Sequence, residues 1–386
     1  AWVISDEPFF NVDFINQMKL RAAFGMAGNA PGPGQADRTY SPGSTTLDGE
    51  VVNRFYPNEY GNSELKAETG RELELGFEAS FLDNRLGADF TYYNQHTVDA
   101  LVSVSDPPSS GFSGTHYENI GEIANSGIEL QLNGSPVYKR NIQWDATLSL
   151  STNKNKLISF GTNTIQEIVF GSFADVQKHK EGYPLGGIWG VDVERDAQGN
   201  PVIRDSNGNI VTDPSQGNVT LNDTSTYVGP SIPTREIAFA NTITVFNNLR
   251  FFVNFDYKGG YYQWCAICSI RSRSNRNTQL INDPNADPAA RLVEYSRQTM
   301  THIKPADYIK LRELSATYTL PQKWSRMFRS SQTTLSVSGR NLWMWTKYFK
   351  GFDPEVAFYS RSNFNSTDYA STPMMRRLLV TVRFVF

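Results

Sequence analysis

Apolar and polar residues alternate along this chain with a period of two, again and again. Met18, Leu20, Ala22, Phe24 and Met26 are interleaved with Lys19, Arg21, Ala23 and Gly25. Leu73, Leu75, Phe77, Ala79 and Phe81 alternate with Glu72, Glu74, Gly76, Glu78 and Ser80. Beyond a tight turn at Asp83-Asn84, Leu86, Ala88, Phe90 and Tyr92 alternate with Gly87, Asp89, Thr91 and Tyr93. Successive side chains of a strand point to opposite faces, so these runs predict sheet with one apolar and one polar face. The same rhythm recurs from Ile128, from Ile142, from Ile237, from Leu249 and from Leu314, and a last run is Leu378, Val380, Val382, Phe384 and Phe386. The pattern predicts about ten strands, most of them ~9 to 14 residues long, enough to cross a bilayer at a tilt.

The connections alternate too. Short turns fall at Asp83-Asn84, between Ser135 and Asn141, at Asn247-Asn248 and between Pro321 and Ser331. Long ones run from Gly28 to Glu68, from Asn155 to Pro233 and from Gly259 to Pro305. An even-stranded antiparallel barrel of the outer membrane gathers its short turns at the periplasmic end and its long loops outside. A soluble sandwich has no such reason to sort them. The expected fold is therefore all-β, an antiparallel transmembrane barrel, with residues 1–386 forming part of one barrel domain and a long extracellular loop at about 155–233. Within that loop, Gly199-Asn200-Pro201 and Asn207-Gly208 flank Val202-Ile203-Arg204 and predict a small hairpin. Glu72, Glu74 and Glu78, with Arg312 or Glu313, suit a hydrated lumen, although a solvated sheet face would carry the same residues.

Composition narrows the picture. With 386 residues, a net charge of −3 and no apolar run of about 18 residues, a helical membrane span is excluded. The mean hydropathy of −0.43 leaves a barrel open, because its strands face lipid on one side only. The 24 Phe, 18 Tyr and 7 Trp suit aromatic girdles at two membrane interfaces, or a β-rich domain with Tyr-rich loops. No basic stripe points to nucleic acid. Ala1-Trp2-Val3-Ile4-Ser5 lacks the pattern of a signal peptide, so an exported protein is expected to be represented here by a mature piece or a fragment.

No catalytic constellation emerges, and an enzyme is not expected. His96, His116, His179 and His302 stand in neither a metalloprotease nor a triad context and read as loop or lumen residues. The lone Cys265-x-x-Cys268 lacks the second pair of a zinc ribbon, leaving a local disulfide or two incidental thiols. Asp205, Asn207 and Asn209 alternate like calcium ligands, with Asp192, Asp196, Asp213 and Asp223 nearby, but Ile210 stands where an EF-hand needs glycine. A polar, turn-rich loop is the simpler reading of 192–223, and no cofactor is expected. Tyr261, Tyr262 and Trp264, with Trp343, Trp345 and Tyr348, lie where strands emerge into loops; they suit stacking on a ligand or anchoring at the membrane interface, and anchoring needs no ligand.

Five stretches resemble the SusC/RagA-type TonB-linked outer-membrane transporters. They are Lys19 to Asn29 (KLRAAFGMAGN); Tyr92-Tyr93-Asn94 with Asn119 to Leu130 (NIGEIANSGIEL); Glu181 to Gly186 (EGYPLG); Tyr308 to Pro321 (YIKLREL through YTLP); and Gly339-Arg340-Asn341-Leu342 leading to Tyr348 and Gly351 to Glu355 (GFDPE). They lie in family order across nearly the whole chain. The resemblance implies the carboxyl-terminal ten or so strands of a 22-stranded barrel in a Gram-negative outer membrane. A plug domain, TonB box and signal peptide would lie outside this chain. It also implies TonB-driven uptake of oligosaccharide or peptide, with TonB, a SusD-like surface lipoprotein and membrane lipid as partners. In that frame Leu378, Val380, Val382, Phe384 and Phe386 form a lipid-facing closing strand and the carboxyl-terminal insertion signal. A passive or receptor-like barrel whose loops bind surface partners is the alternative, and a soluble β-rich enzyme or adhesin a third reading.

Overall fold

The computed structural model describes residues 1–106, 108–112, 114–161, 166–170, 176–349, 351–355, 367–369 and 371–386. Ten long strands form one antiparallel wall: β1 Ile15–Asn29, β2 Glu68–Phe81, β3 Leu86–Ser105, β4 Thr115–Lys139, β5 Ile142–Ser159, β6 Arg235–Val245, β7 Leu249–Gly259, β8 Tyr308–Thr319, β9 Gln332–Thr346 and β10 Arg377–Val385. Each pairs with its neighbours in sequence order, and a two-residue stub at Trp2–Val3 adds to the outer edge of β1.

The registers turn the sequence alternation into continuous rows. Leu20, Phe77, Phe90, Leu130, Leu150, Ile237, Tyr257, Ile309 and Trp345 lie side by side across nine strands. One residue along, Lys19, Glu78, Asp89, Gln131, Ser149, Ala238, Asp256 and Lys310 make the corresponding row on the opposite face. Strand β10 continues the apolar face: Val380 lies beside Val337, Val337 beside Ala316, and Ala316 beside Phe251. Among the described residues, much of that face is left uncovered by protein. Leu75, Phe251, Leu314, Val337 and Val380 are all exposed, and an uncovered apolar band of this extent marks a surface that meets lipid or a partner.

Short turns close one end. Asp83 and Asn84 both take left-handed backbone, which their short polar side chains tolerate, and Asn247 does the same between β6 and β7. Between β8 and β9 the turn is a short helix at Gln322–Ser325 followed by a 3-10 turn at Arg326–Phe328 that ends on left-handed Arg329. The opposite end carries the long connections. They contain a hairpin, Thr39–Leu47 with Glu50–Glu59; a four-stranded sheet from Glu167–Phe170, Gln177–Lys180, Gly187–Gly190 and Thr226–Gly229; and helices α1 Ala266–Arg273, α2 Gln279–Asn282 and α3 Pro288–Tyr295. The predicted hairpin around Val202-Ile203-Arg204 is a three-stranded sheet, because Asn218–Val219 pairs on the free side of Ile203–Arg204.

The packed cores sit at this loop end. One cluster joins Val176, Ile188, Trp264, Ala266 and Ile303; another joins Tyr261, Cys265, Ala306 and Tyr348. A third, Ala100, Ile123, Leu157 and Phe160, forms where β3, β4 and β5 run past the wall into the loops. The fold thus has a wall with one apolar and one polar face, and among the described residues its apolar core clusters lie at the loop end.

Candidate functional site

The polar face of the wall carries charge organised by strand pairing. Lys19 Nζ lies 3.2 Å from Glu78, and Arg21 reaches Glu78 at 3.4 Å and Asp89 at 2.5 Å. Arg21 also donates to Thr91 Oγ1 at 2.7 Å. Gly76 lies between Arg21 and Thr91 in the register, and a Cβ there would stand 3.3 Å from the Arg21 guanidinium and 2.3 Å from Phe90 O. Glycine is what lets the arginine cross the intervening strand. Gly127 plays the same part for Tyr93, whose hydroxyl passes over it to Thr152 O. Farther along the same face, Arg21, Thr91, Glu129, Ser151, Glu236 and Lys258 line a cavity of about 430 Å³, and Lys258 pairs with Glu236 at 3.0 Å. Cations and carboxylates are both present here, so the face suits water and polar solutes rather than lipid.

A denser ionic cluster joins the wall to the last long loop. A bulge between Leu311 and Glu313 puts Arg312 and Glu313 on the polar side together while Leu311 and Leu314 keep the apolar side. Arg312 makes a two-pronged contact with Asp256 at 2.8 and 2.6 Å and a second with Glu355 at 2.6 and 2.7 Å. Lys310 donates to both Asp353 oxygens at 2.7 and 2.9 Å and to Glu355 at 2.5 Å. Burial alone would raise the Glu355 carboxyl, but the hydrogen bonds from Arg312 and Lys310 outweigh it and hold it at about 2. Glu313 turns to Arg340 at 3.2 Å. Next to the cluster, Asp307 accepts from the Gly260 amide at 2.9 Å and from Lys347 at 3.1 Å.

The YIKLREL and GFDPE stretches, far apart in sequence, therefore meet as one ion-paired latch. EGYPLG and NIGEIANSGIEL meet likewise: Asn155 donates to Asn125 at 2.6 Å and accepts from the Leu185 amide at 2.8 Å. Sequence reading singled out Arg312 and Glu313 for the polar face but missed Lys310, Asp353 and Asn155, whose partners lie across loops of unreadable path.

The six aromatics divide. Trp343 and Trp345 are exposed on the apolar face at the loop end of β9, level with Leu311 and Ile309. Tyr261, Trp264 and Tyr348 are buried in the loop cores, and half-buried Tyr262 packs against the same core as Trp264. Three of these four are thus packed inside the protein and the fourth, Tyr262, partly so. Tyr183, Trp189 and Tyr227 form a further aromatic cluster with centroids 4.8 to 5.4 Å apart. Leu378, Val380, Val382 and Phe384 lie exposed on β10, and Phe386 follows its end.

Cys265 and Cys268 are disulfide-bonded at the start of α1. His179 accepts from the Gly186 amide and His302 shares a hydrogen bond with Ser272; burial holds both imidazoles down at about 4, in His302 with help from Lys304 and Arg273. Asp196 and Asp205 spend their carboxylates on amides of their own turns, at Gln198 and Asn200 and at Asn207 and Asn209. Among the described residues no group of three His, Cys, Asp or Glu is placed to hold a metal ion.

A family model described as TonB dependent receptor-like, beta-barrel matches residues 8–342. The chain belongs to that family. Its members are receptors and transporters of the Gram-negative outer membrane, and this chain is part of such a barrel. TonB-dependent receptor P3 of Formosa agariphila is 26% identical over 412 residues, covering 100% of this chain and 41% of the relative. TonB-dependent receptor SusC of Bacteroides thetaiotaomicron is 23% identical over 394 residues, covering 92% and 37%. The solved structure of the RagAB peptide transporter aligns with a TM-score of 0.79 at 19% identity, over 99% of this chain and 42% of that one. This chain thus spans about two fifths of the length of the relatives it matches.

Proposed function

We propose that this chain is the carboxyl-terminal wall and outer loops of a transporter that takes up an oligosaccharide or peptide through the outer membrane at the expense of TonB. The observation that carries the reading is a ten-stranded wall with an exposed apolar face on one side and, on the other, a polar face carrying ion pairs such as Lys19–Glu78, Arg21–Asp89 and Lys258–Glu236. In lipid every backbone group must be satisfied within a closed sheet, so the open edges of β1 and β10 call for further strands of the same barrel. Arg21, Glu129, Glu236 and Lys258 then face a hydrated lumen and offer hydrogen bonds to a passing polar solute. The ionic latch fixes the last loop over β7 and β8, where a surface lipoprotein of the SusD type would sit, and TonB would act through the part of the protein outside this chain.

The test uses cells lacking the gene and complemented with the full-length protein. Uptake of a labelled oligosaccharide or peptide should require the protein and should stop when TonB is inactivated. Uptake that persists without TonB would overturn the active mechanism in favour of a passive barrel.

A further inference from the structure

The loops hold a second cavity, of about 800 Å³, to which no wall strand contributes. The small sheet supplies Val219 and Leu221 on one side. The end of α1, the end of α3 and the chain just beyond them supply Arg273, Arg276, Tyr295 and Arg297 on the other. Three arginines thus line one space, and among the described residues no Asp or Glu lines it.

On the wall, Arg21 is paired with Asp89, Arg312 with Asp256 and Arg340 with Glu313. Among the described residues Arg273, Arg276 and Arg297 have no carboxylate at ion-pair distance. An oxyanion in this cavity would meet charge-assisted donors with no competing carboxylate in the lining. Arg276 lies over the Tyr295 ring, 4.9 Å from its centroid. Such a contact positions the plane of the guanidinium and leaves its edge donors available. The charge also reaches inward: after burial and Lys304, Arg273 contributes to holding the His302 imidazole neutral.

We propose that this cavity binds a soluble oligomer carrying two or more carboxylate or sulfate-ester groups, with Arg273, Arg276 and Arg297 on the charges and Tyr295 and Leu221 against its apolar surface. The planar fork of a guanidinium matches both oxyanions in two-pronged geometry. The volume suits a ligand of two or three residues. The inference stands apart from the uptake reading, because binding at this cavity needs neither TonB nor passage through the lumen.

Calorimetry on the full-length protein in detergent tests it with four probes: trigalacturonate, a sulfated disaccharide, triglutamate and neutral maltotriose. At least one charged probe should bind, more weakly as salt rises, and maltotriose should not. Arg273→Gln, Arg276→Gln and Arg297→Gln should each weaken binding by about tenfold, the size of one charge-assisted hydrogen bond, and Arg276→Lys by less. Which charged probe wins identifies the source of the oxyanion. No binding of any charged probe, equal binding of maltotriose, or full binding by the triple Gln variant would each overturn the proposal. All three arginines are exposed, so the Gln variants should fold, and unchanged heat-modifiability of the barrel on gels confirms it. Binding at this cavity together with no TonB-dependent uptake by the full-length protein would count against the uptake reading alone.

Discussion

The Lys310 ammonium lies 2.7 Å from Asp353, and both side chains are only 4% exposed although 43 residues separate them. Removing one member of a buried ion pair leaves the other uncompensated, at a cost of about 3–5 kcal/mol, whereas replacing both with apolar groups is often close to neutral. Asp353→Asn and Lys310→Met should therefore each loosen the loop after β9, read as faster limited proteolysis near residues 347–355. The double variant Lys310→Met with Asp353→Leu should be more protected than the sum of the singles predicts. Strict additivity would show that the pair is not coupled.

The wall was legible in the sequence because period-two alternation is local and directly sets the two faces of a strand. The latch was not. Lys310 and Asp353 meet only because a bulge shifts the face at Arg312 and a long loop folds back, and neither leaves a local mark. The same holds for Tyr261 and Tyr348, whose burial depends on loops packing against one another. The hairpin at Thr39–Leu47 and Glu50–Glu59 was missed because Ser, Thr, Gly and Pro interrupt its alternation. The sheet around Ile203 was half seen, its third strand being only Asn218–Val219.

Acid should open the loop end in a defined window. His179 and His302 are held at about 4 in the folded chain, below the ordinary ~6.5. The unfolded state thus binds more protons between these values, and stability is lost as pH falls from about 6.5 to 4, by at most on the order of 3 kcal/mol per imidazole. Glu355, held at about 2, gives up its contribution lower still, as pH falls from its ordinary range toward 2. Asp368 opposes this: burial raises it to about 6, with a bond from Ser371 lowering and Asp353 raising it, so its effect favours the folded state as pH falls from 6 to 4. Amide exchange at pH 7 and pH 4.5 should show the segments around His179 and His302 losing protection. His302→Gln should flatten that change locally.

Gly76 tests the strand crossing. A Val side chain there meets Phe90 O and the guanidinium of Arg21, so Gly76→Val should break the Arg21 contacts to Asp89 and Thr91 and strain the β2–β3 pairing. A loss of about 1–3 kcal/mol is expected from overpacking of this kind. The urea midpoint of the full-length barrel in vesicles reads it. Gly70→Val, with only Ala27 O near its added carbon at 3.8 Å, serves as the control and should cost less.

The Cys265–Cys268 bridge closes a short loop, for which chain entropy gives about 2 kcal/mol. Cys265 is fully buried beside Tyr261 and Ala306. Maleimide should therefore label neither cysteine before reduction, and reduction should be slow without denaturant. Replacing both with Ser should raise protease cleavage near α1 and leave the wall untouched. Rapid labelling of the untreated protein would contradict the bridge.

The face of β10 decides whether the closing strand meets lipid as proposed. Val380 lies in the apolar row beside Val337, and Thr381 on the other face beside Ser336. An arginine on the lipid face near the bilayer midplane costs about 2–4 kcal/mol, while one on the lumen face finds water and carboxylates. Val380→Arg should accordingly lower the folding yield of the full-length protein into vesicles and its urea midpoint, and Thr381→Arg should do so far less. The two substitutions add the same charge to adjacent residues of one strand, so propensity and net charge cancel between them and only the face differs. Equal losses would place lipid on neither side preferentially and remove the assignment of Leu378, Val380, Val382 and Phe384 to the membrane.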